Sequence, residues 1–240
     1  MLKGIQTSTT AMEADEAWQQ ILANDLAQLN TPGYKSESAV LGSFQQALVE
    51  RTGANAGAVG VQSGGTALVA TVQDFSAGPL QQTQDPLDAA IAGQGFFAVQ
   101  TPAGVRYTQD GAFALDAKGD LVTAQGYLVL STAGKPLRAG PGAAIKSDGT
   151  LTVNGLSVGR IGVFNPATAQ LTDTGGGLFA ASGAAPAVGT ALQPGYLEGS
   201  NVSTPEVLAS MIQVLRHFQA GQQDIDQTSA TYDRFLEVAG

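Results

Sequence analysis

Apolar residues follow three different rhythms along this 240-residue chain. Between residues 4 and 29, Trp18, Leu22, Leu26 and Leu29 recur at three- and four-residue steps, with Ile5 and Met12 on a less regular stripe. That spacing predicts an amphipathic helix. Pro32 stops it, because the residue before a proline is pushed out of the α region, and Gly33 supplies a permissive turn. Residues 37–84 show no repeating apolar face. The stretch TGANAGAVGVQSGGTAL is built of small residues, and 40–49 reads equally as a short helix or an extended arm. Such a segment buries little surface by itself and is expected to be a flexible arm that orders against a partner.

From residue 85 the rhythm shortens. GFFAVQ, VRYTQ, GAFALD, GDLVTA and GYLVLS are brief apolar or alternating runs. Asp110-Gly111, Lys118-Gly119-Asp120, Asp148-Gly149 and Asn154-Gly155 punctuate them, and such pairs are hairpin signals. An all-β domain of roughly ten short strands is predicted over 85–200. Adjacent Phe96 and Phe97 must point to opposite faces of their strand. One is expected in the core and the other against a neighbouring molecule.

At residue 201 a helical period returns. Ser203 with Glu206 matches a capping box, and Pro205 falls in the first turn, where its missing N–H costs nothing. Leu208, Met211, Leu215, Phe218, Gln222, Ile225, Ser229, Tyr232 and Leu236 alternate three- and four-residue steps, the spacing of a coiled-coil seam. Gln222 and Ser229 weaken that seam, and Gly221 costs about 1 kcal/mol relative to alanine. A helix of this length reaches roughly 50 Å at 1.5 Å per residue. The β domain cannot cover it, so the other terminal helix and further copies of the chain are its expected cover. The predicted fold is α+β, a mainly β centre of short antiparallel strands flanked by terminal helices that form a coiled-coil-like layer. The domains read 1–36 (first helix and its motif, grouped with 201–240), 37–84 (arm), 85–200 (β domain) and 201–240 (long helix).

Composition narrows the function. Eleven basic residues against twenty acidic ones give a formal charge of −9, the wrong sign for nucleic acid or an anionic membrane. The absence of cysteine excludes disulfides and thiolate metal sites. The N-terminus has no apolar core of a cleavable signal peptide, and no window is long enough to span a membrane.

Candidate chemistry is thin. GLSVG at 155–159 fits G-x-S-x-G, with Ser157, Asp173 and His217 in the order Ser, Asp, His. An esterase needs a strand, a sharp turn and a helix around Ser157, whereas LTVN and RIGVF read as two arms of a hairpin. The single histidine argues against a His-based metal site. Asp85, Asp88, Asp110, Asp116 and Asp120 fall near turns, and no spacing singles out an acid–base pair. GQG at 93–95 lacks the following helix of a dinucleotide fingerprint. Neither a cofactor nor a small-molecule substrate is expected. Asn24 and Asn201 read as caps or surface residues, or as amides that fix helix register.

Four segments carry a family resemblance. ANDLAQLNTPGYK (23–35) resembles the ANNLANxxTxGFK signature of bacterial flagellar rod and hook proteins, with Asp25 and Gln28 in place of the usual Asn. PLDAAIAGQGFFAVQ (86–100) resembles their DVAIxGxGFFxV segment, and YTQDGAFALDAKGDLVTAQGYLVL (107–130) their YTRDGxFxxDxxGxLVTxxGxxV segment. GYLEGSNVSTPEVLASMIQVLRHFQAG (195–221) is similar to their GxLExSNVxxxxEMxxMIxxxRxYExN segment, although Gly221 replaces a common Asn. The resemblance implies a structural subunit of the flagellar rod, of the distal type by the fit of GQGFF and LEGSNV. Proximal-rod and hook-type positions, and the related Gram-positive hook–basal-body proteins, are the nearest alternatives. In another class stands a secreted adhesin-like β module. The resemblance further implies a helical homopolymer that encloses an export channel and transmits torque. Implied partners are further copies, adjacent rod and hook proteins and the flagellar type III export apparatus, with a basal-body location in the cell envelope. The expected self-assembly residues are Trp18, Leu22, Asn24, Leu26, Leu29, Pro32, Gly33, Tyr34, Asn201, Leu208, Met211, Leu215, Phe218, Ile225, Tyr232 and Leu236.

Overall fold

The structure, a computed structural model, describes residues 2–43, 47–51, 57–62, 65–167, 171–181, 183–187 and 190–239. They form two compact units. One gathers Met1–Ala27, Ser36–Asp74 and Ser203–Gly240; the other gathers Gln28–Lys35 and Phe75–Val202.

The helical unit contains α1 (Leu2–Ala27) and the 36-residue α2 (Thr204–Ala239). Ser203 stands at the N-cap position of α2, and its carbonyl accepts the Val207 N–H at 3.0 Å. Residues 37–84, read above as an arm, carry paired strands. Glu37–Ser43 lies antiparallel to Thr66–Gln73, with a bulge between Val40 and Leu41. Ala47–Arg51 pairs with Gly57–Gln62. An isolated two-stranded ribbon is marginal in water; α1 packs against the first ribbon and gives it a surface to rest on. Small side chains without strict alternation left no strand signal in the sequence.

The β unit is built on the strand Phe96–Thr101, buried along nearly its whole length. It pairs antiparallel with Gly104–Thr108, Leu128–Val129 and Val163–Asn165 within a nine-stranded sheet. A three-stranded sheet of Ala143–Ile145, Thr150–Val153 and Leu156–Arg160 stands beside it. Ala89–Ala92 pairs with Ala191–Pro194, and Leu80–Gln82 with Tyr196–Glu198.

The two phenylalanines part as the pleat requires, but both are enclosed. Phe97 meets Phe113 edge-on at 5.0 Å in the main core with Leu121, Leu151 and Ile161. Phe96 packs with Phe75 and Phe179 in a second cluster, so neither ring is left for a neighbouring molecule. More than ten strands share this region because many are only two or three residues long. Asn154-Gly155 and Asp148-Gly149 close hairpins as expected. Asp110-Gly111 does not: the Gly111 carbonyl accepts the Ala89 N–H at 3.1 Å, tying two distant segments together.

Candidate assembly surfaces

In the helical unit, three pairs define how α1 meets α2. Ser8 Oγ donates to Asp224 Oδ2 at 2.6 Å. Met12 lies against Gly221, where a Cβ would stand 3.0 Å from Met12 Cγ. Asp15, only 8% exposed, feels the charge of His217. Residue numbers rise on one helix as they fall on the other, so the pair is antiparallel. The same register brings Trp18 level with Val214 and Leu22 level with Ser210 and Met211. Burial pushes the Asp15 carboxyl above its ordinary value, and His217 opposes that shift. Gly221 therefore has a packing reason: it lets the two backbones approach.

The covered stripe of α2 comprises Val207, Met211, Val214, Phe218, Gly221 and Ile225, with Val207 buried and Val214 fully so. Met211, Phe218 and Ile225 are half-buried, and they belong to the seam read from the sequence. The intervening positions differ. Leu208, Leu215, Gln222 and Ser229 are exposed, and Val207, Val214 and Gly221 take their place one residue earlier. At Gly221 the close approach of Met12 leaves no room for a larger side chain, and Leu208 and Leu215 fall outside the covered stripe. Leu208, Ile212 and Leu215 then form a second apolar stripe, 46%, 53% and 48% exposed.

Among the other predicted assembly residues of this unit, Leu22 is buried, Trp18 and Leu26 are half-buried and Asn24 is exposed. Tyr232 and Leu236 belong to α2, but their side chains lie outside the described residues. Asp25 is 2% exposed, and its carboxylate accepts the Glu37 N–H at 3.2 and 3.3 Å. It holds the start of the ribbon against the end of α1.

The remaining predicted residues sit in the β unit. Leu29 falls beyond the end of α1, in turns closed by Thr31 N–H to the Gln28 carbonyl at 3.0 Å and Tyr34 N–H to the Thr31 carbonyl at 3.3 Å. Leu29 and Pro32 are half-buried, while Gly33 and Tyr34 are enclosed by their own chain. Gly33 has φ +67°, and any side chain there would collide with the backbone of Gln109 and Asp110. Its N–H donates to the Glu198 carbonyl at 2.7 Å. Lys35 follows, fully buried, with Nζ 2.7 Å from Glu198 Oε1 and 2.7 Å from the Ser76 carbonyl. Glu198 Oε1 also accepts the Gly78 N–H at 2.8 Å. Asn201 Nδ2 donates to Ser76 at 3.2 and 3.3 Å, and the Asn201 N–H to the Tyr34 carbonyl. Nearby, Asp110 Oδ1 accepts the Ala112 N–H. Burial raises its pKa, and Asp88 adds to the rise.

Two protein-family models match the chain: the flagellar hook protein FlgE/F/G D1 domain over residues 90–163, and the flagellar basal body rod FlgEFG protein C-terminal region over 193–234. Over 99% of its length the chain is 31% identical to the flagellar basal-body rod protein FlgG of Buchnera aphidicola subsp. Schizaphis graminum, and the match covers 98% of that protein. The chain belongs to the flagellar basal-body rod protein family. FlgG of Bacillus subtilis is 31% identical over 99% of the chain and 97% of its own length. FlgF of Caulobacter vibrioides is 30% identical over 92% and 91%.

Seen as a rod-family chain, three of its four signature segments acquire a shared physical meaning. TPGYK, QDG and GYLEGSN meet at the junction of Gly33, Lys35, Asp110, Glu198 and Asn201 within the β unit. Lys35 and Glu198 escaped the site prediction, although a lysine in the otherwise uncharged TPGYK and a glutamate in GYLEGSN were the available signals. Ser157 lies inside the hairpin strand Leu156–Arg160, without the sharp strand-to-helix turn that a nucleophile of the esterase type requires.

Proposed function

We propose that the chain is a structural subunit of the flagellar rod in the basal body, and that it polymerises with its own kind through the terminal helices. Head-to-tail contacts that do not close produce a helical tube, which encloses an export channel and carries torque. The second stripe of α2 supports this reading most directly. Once α1 has covered Val207, Val214 and Gly221, the side chains of Leu208, Ile212 and Leu215 still face water. An ordered apolar row of this kind is an interaction surface, and a helix of a neighbouring subunit fits it in shape and chemistry. Trp18, Asn24, Leu26, Met211, Phe218 and Ile225 flank the contact. The half-buried Leu29, Pro32 and Asn201 belong to the same assembly scheme from the β unit, whereas Gly33 and Tyr34 serve it by fixing the local backbone. The subunit reaches the envelope through the flagellar export apparatus and adjoins other rod and hook proteins.

The test is complementation of a deletion strain with the chain carrying Leu208→Gln, Ile212→Gln and Leu215→Gln. The expected result is loss of swimming and absence of the subunit from purified basal bodies, while the purified variant melts like the wild type. Normal swimming with normal incorporation overturns the proposal.

A further inference from the structure

We infer that Asn154 is a site of spontaneous covalent modification, at which the asparagine amide is converted to aspartate and isoaspartate in the folded chain. The reaction begins when the N–H of the following residue loses its proton to solvent base and that nitrogen attacks the asparagine Cγ. The new N–Cγ bond closes a five-membered imide, the Cγ–NH2 bond breaks, and ammonia leaves. Water then opens either imide carbonyl. One water enters and one ammonia departs, with no change of oxidation state.

The step requires a following nitrogen that bears a proton, is not engaged in a hydrogen bond and is not crowded by a side chain. The described asparagines differ sharply on these points. Asn24 lies inside α1, where backbone N–H groups are held in the helical ladder. Asn30 precedes Thr31, whose N–H is held by the Gln28 carbonyl at 3.0 Å. Asn165 precedes Pro166, which has no N–H. Asn201 precedes Val202, whose N–H is held by Ser200 Oγ at 3.2 Å and whose side chain is branched. Asn154 precedes Gly155 at an exposed hairpin tip. Among the described residues no backbone carbonyl receives the Gly155 N–H, and nothing lies within 4 Å of the position a Cβ would take there. The related turn at Asp148-Gly149 is protected: the Gly149 N–H goes to the Lys146 carbonyl at 2.9 Å, and the Asp148 carboxylate is held by Thr150.

The position gives the modification consequences. Asn154 has φ 51° and Gly155 φ 84°, the paired positive values of a type I′ turn, whose geometry sets the register of the flanking strands. Isoaspartate adds a backbone carbon to that two-residue turn. Either product adds a negative charge beside Leu156 and Val158, which are 74% and 45% exposed.

The experiment is a time course on the folded full-length chain in mildly alkaline buffer, followed by peptide mass mapping and enzymatic detection of isoaspartate. The peptide containing Asn154 is expected to gain the mass of an amide-to-acid exchange several-fold faster than peptides containing Asn24, Asn30 or Asn201, with isoaspartate confined to it. A parallel sample in urea provides the unfolded rate. Conversion of Asn154 only in urea, or no faster in the folded chain than at the other asparagines, overturns the inference.

Discussion

Lys35 Nζ lies 2.7 Å from Glu198 Oε1, with the two side chains 0% and 6% exposed. A separation of 163 positions along the chain makes this a long-range closure. A buried ion pair often contributes little net stability, because desolvating both charges offsets their attraction. Breaking one half is another matter. Lys35→Met leaves the Glu198 carboxylate buried without its cation and is expected to cost about 3–5 kcal/mol. Adding Glu198→Gln removes the orphaned charge, keeps an acceptor for the Gly78 N–H and restores more than half of the loss. Urea denaturation of the two variants checks both statements, and a double variant no better than the single one contradicts them.

The helix pair makes a second prediction at Gly221. Replacing it by alanine gains about 1 kcal/mol of helix propensity, but the new Cβ meets Met12 Cγ at 3.0 Å. Methionine is flexible, so the two effects nearly cancel and the melting temperature stays close to wild type. Gly221→Leu has no such escape and is expected to separate the helices, seen as loss of near-neighbour fluorescence quenching between labels at positions 8 and 224.

A third contrast separates the covered stripe of α2 from the open one. Val214, 1% exposed, is expected to cost about 2 kcal/mol when truncated to alanine, from lost burial and the cavity left behind. Leu215→Gln, one residue away, should stay within about 0.5 kcal/mol of wild type, as exposed substitutions do. Thermal melts of both variants give the comparison, and a reversed order would return the seam to the register read from the sequence.

Asp110 carries a pH prediction. Its folded pKa lies above the ordinary 3.8 because of burial and the neighbouring Asp88 charge. The folded state therefore holds this proton more tightly than the unfolded state. The resulting stabilisation is full below 3.8 and is lost as pH rises through the folded value. Asp110→Asn keeps an oxygen for the Ala112 N–H and removes the buried charge. It is expected to melt higher than wild type at neutral pH, with the difference shrinking as the pH falls toward 3.8. A difference that does not change with pH would contradict this.

The sequence was legible where its period was long and its punctuation strict. Both helices and the Asn154-Gly155 hairpin could be read from side-chain spacing and turn chemistry, although α1 ends at Ala27, ahead of the expected stop at Pro32. The strands of 37–73 could not, because Ala, Gly, Ser and Thr give no alternation, and the first ribbon draws its support from α1 rather than from its own faces. The register of α2 was half legible. Met211, Phe218 and Ile225 border both apolar stripes, so periodicity alone could not decide whether Leu208 or Val207 completes the covered one. The choice depends on how α1 packs against α2, and α1 lies at the opposite end of the chain. The Lys35–Glu198 pair was hidden for a related reason: nothing local to either residue announces a partner across the chain.

That closure also has a mechanical side. The β unit is made of two stretches, residues 28–35 and 75–202, with Lys35 at the end of the first and Glu198 near the end of the second. They are stapled together by the Gly33 N–H, the Asn201 N–H and a buried ammonium–carboxylate contact. A force that draws the two stretches apart must break this staple, and several bonds have to yield together before they separate.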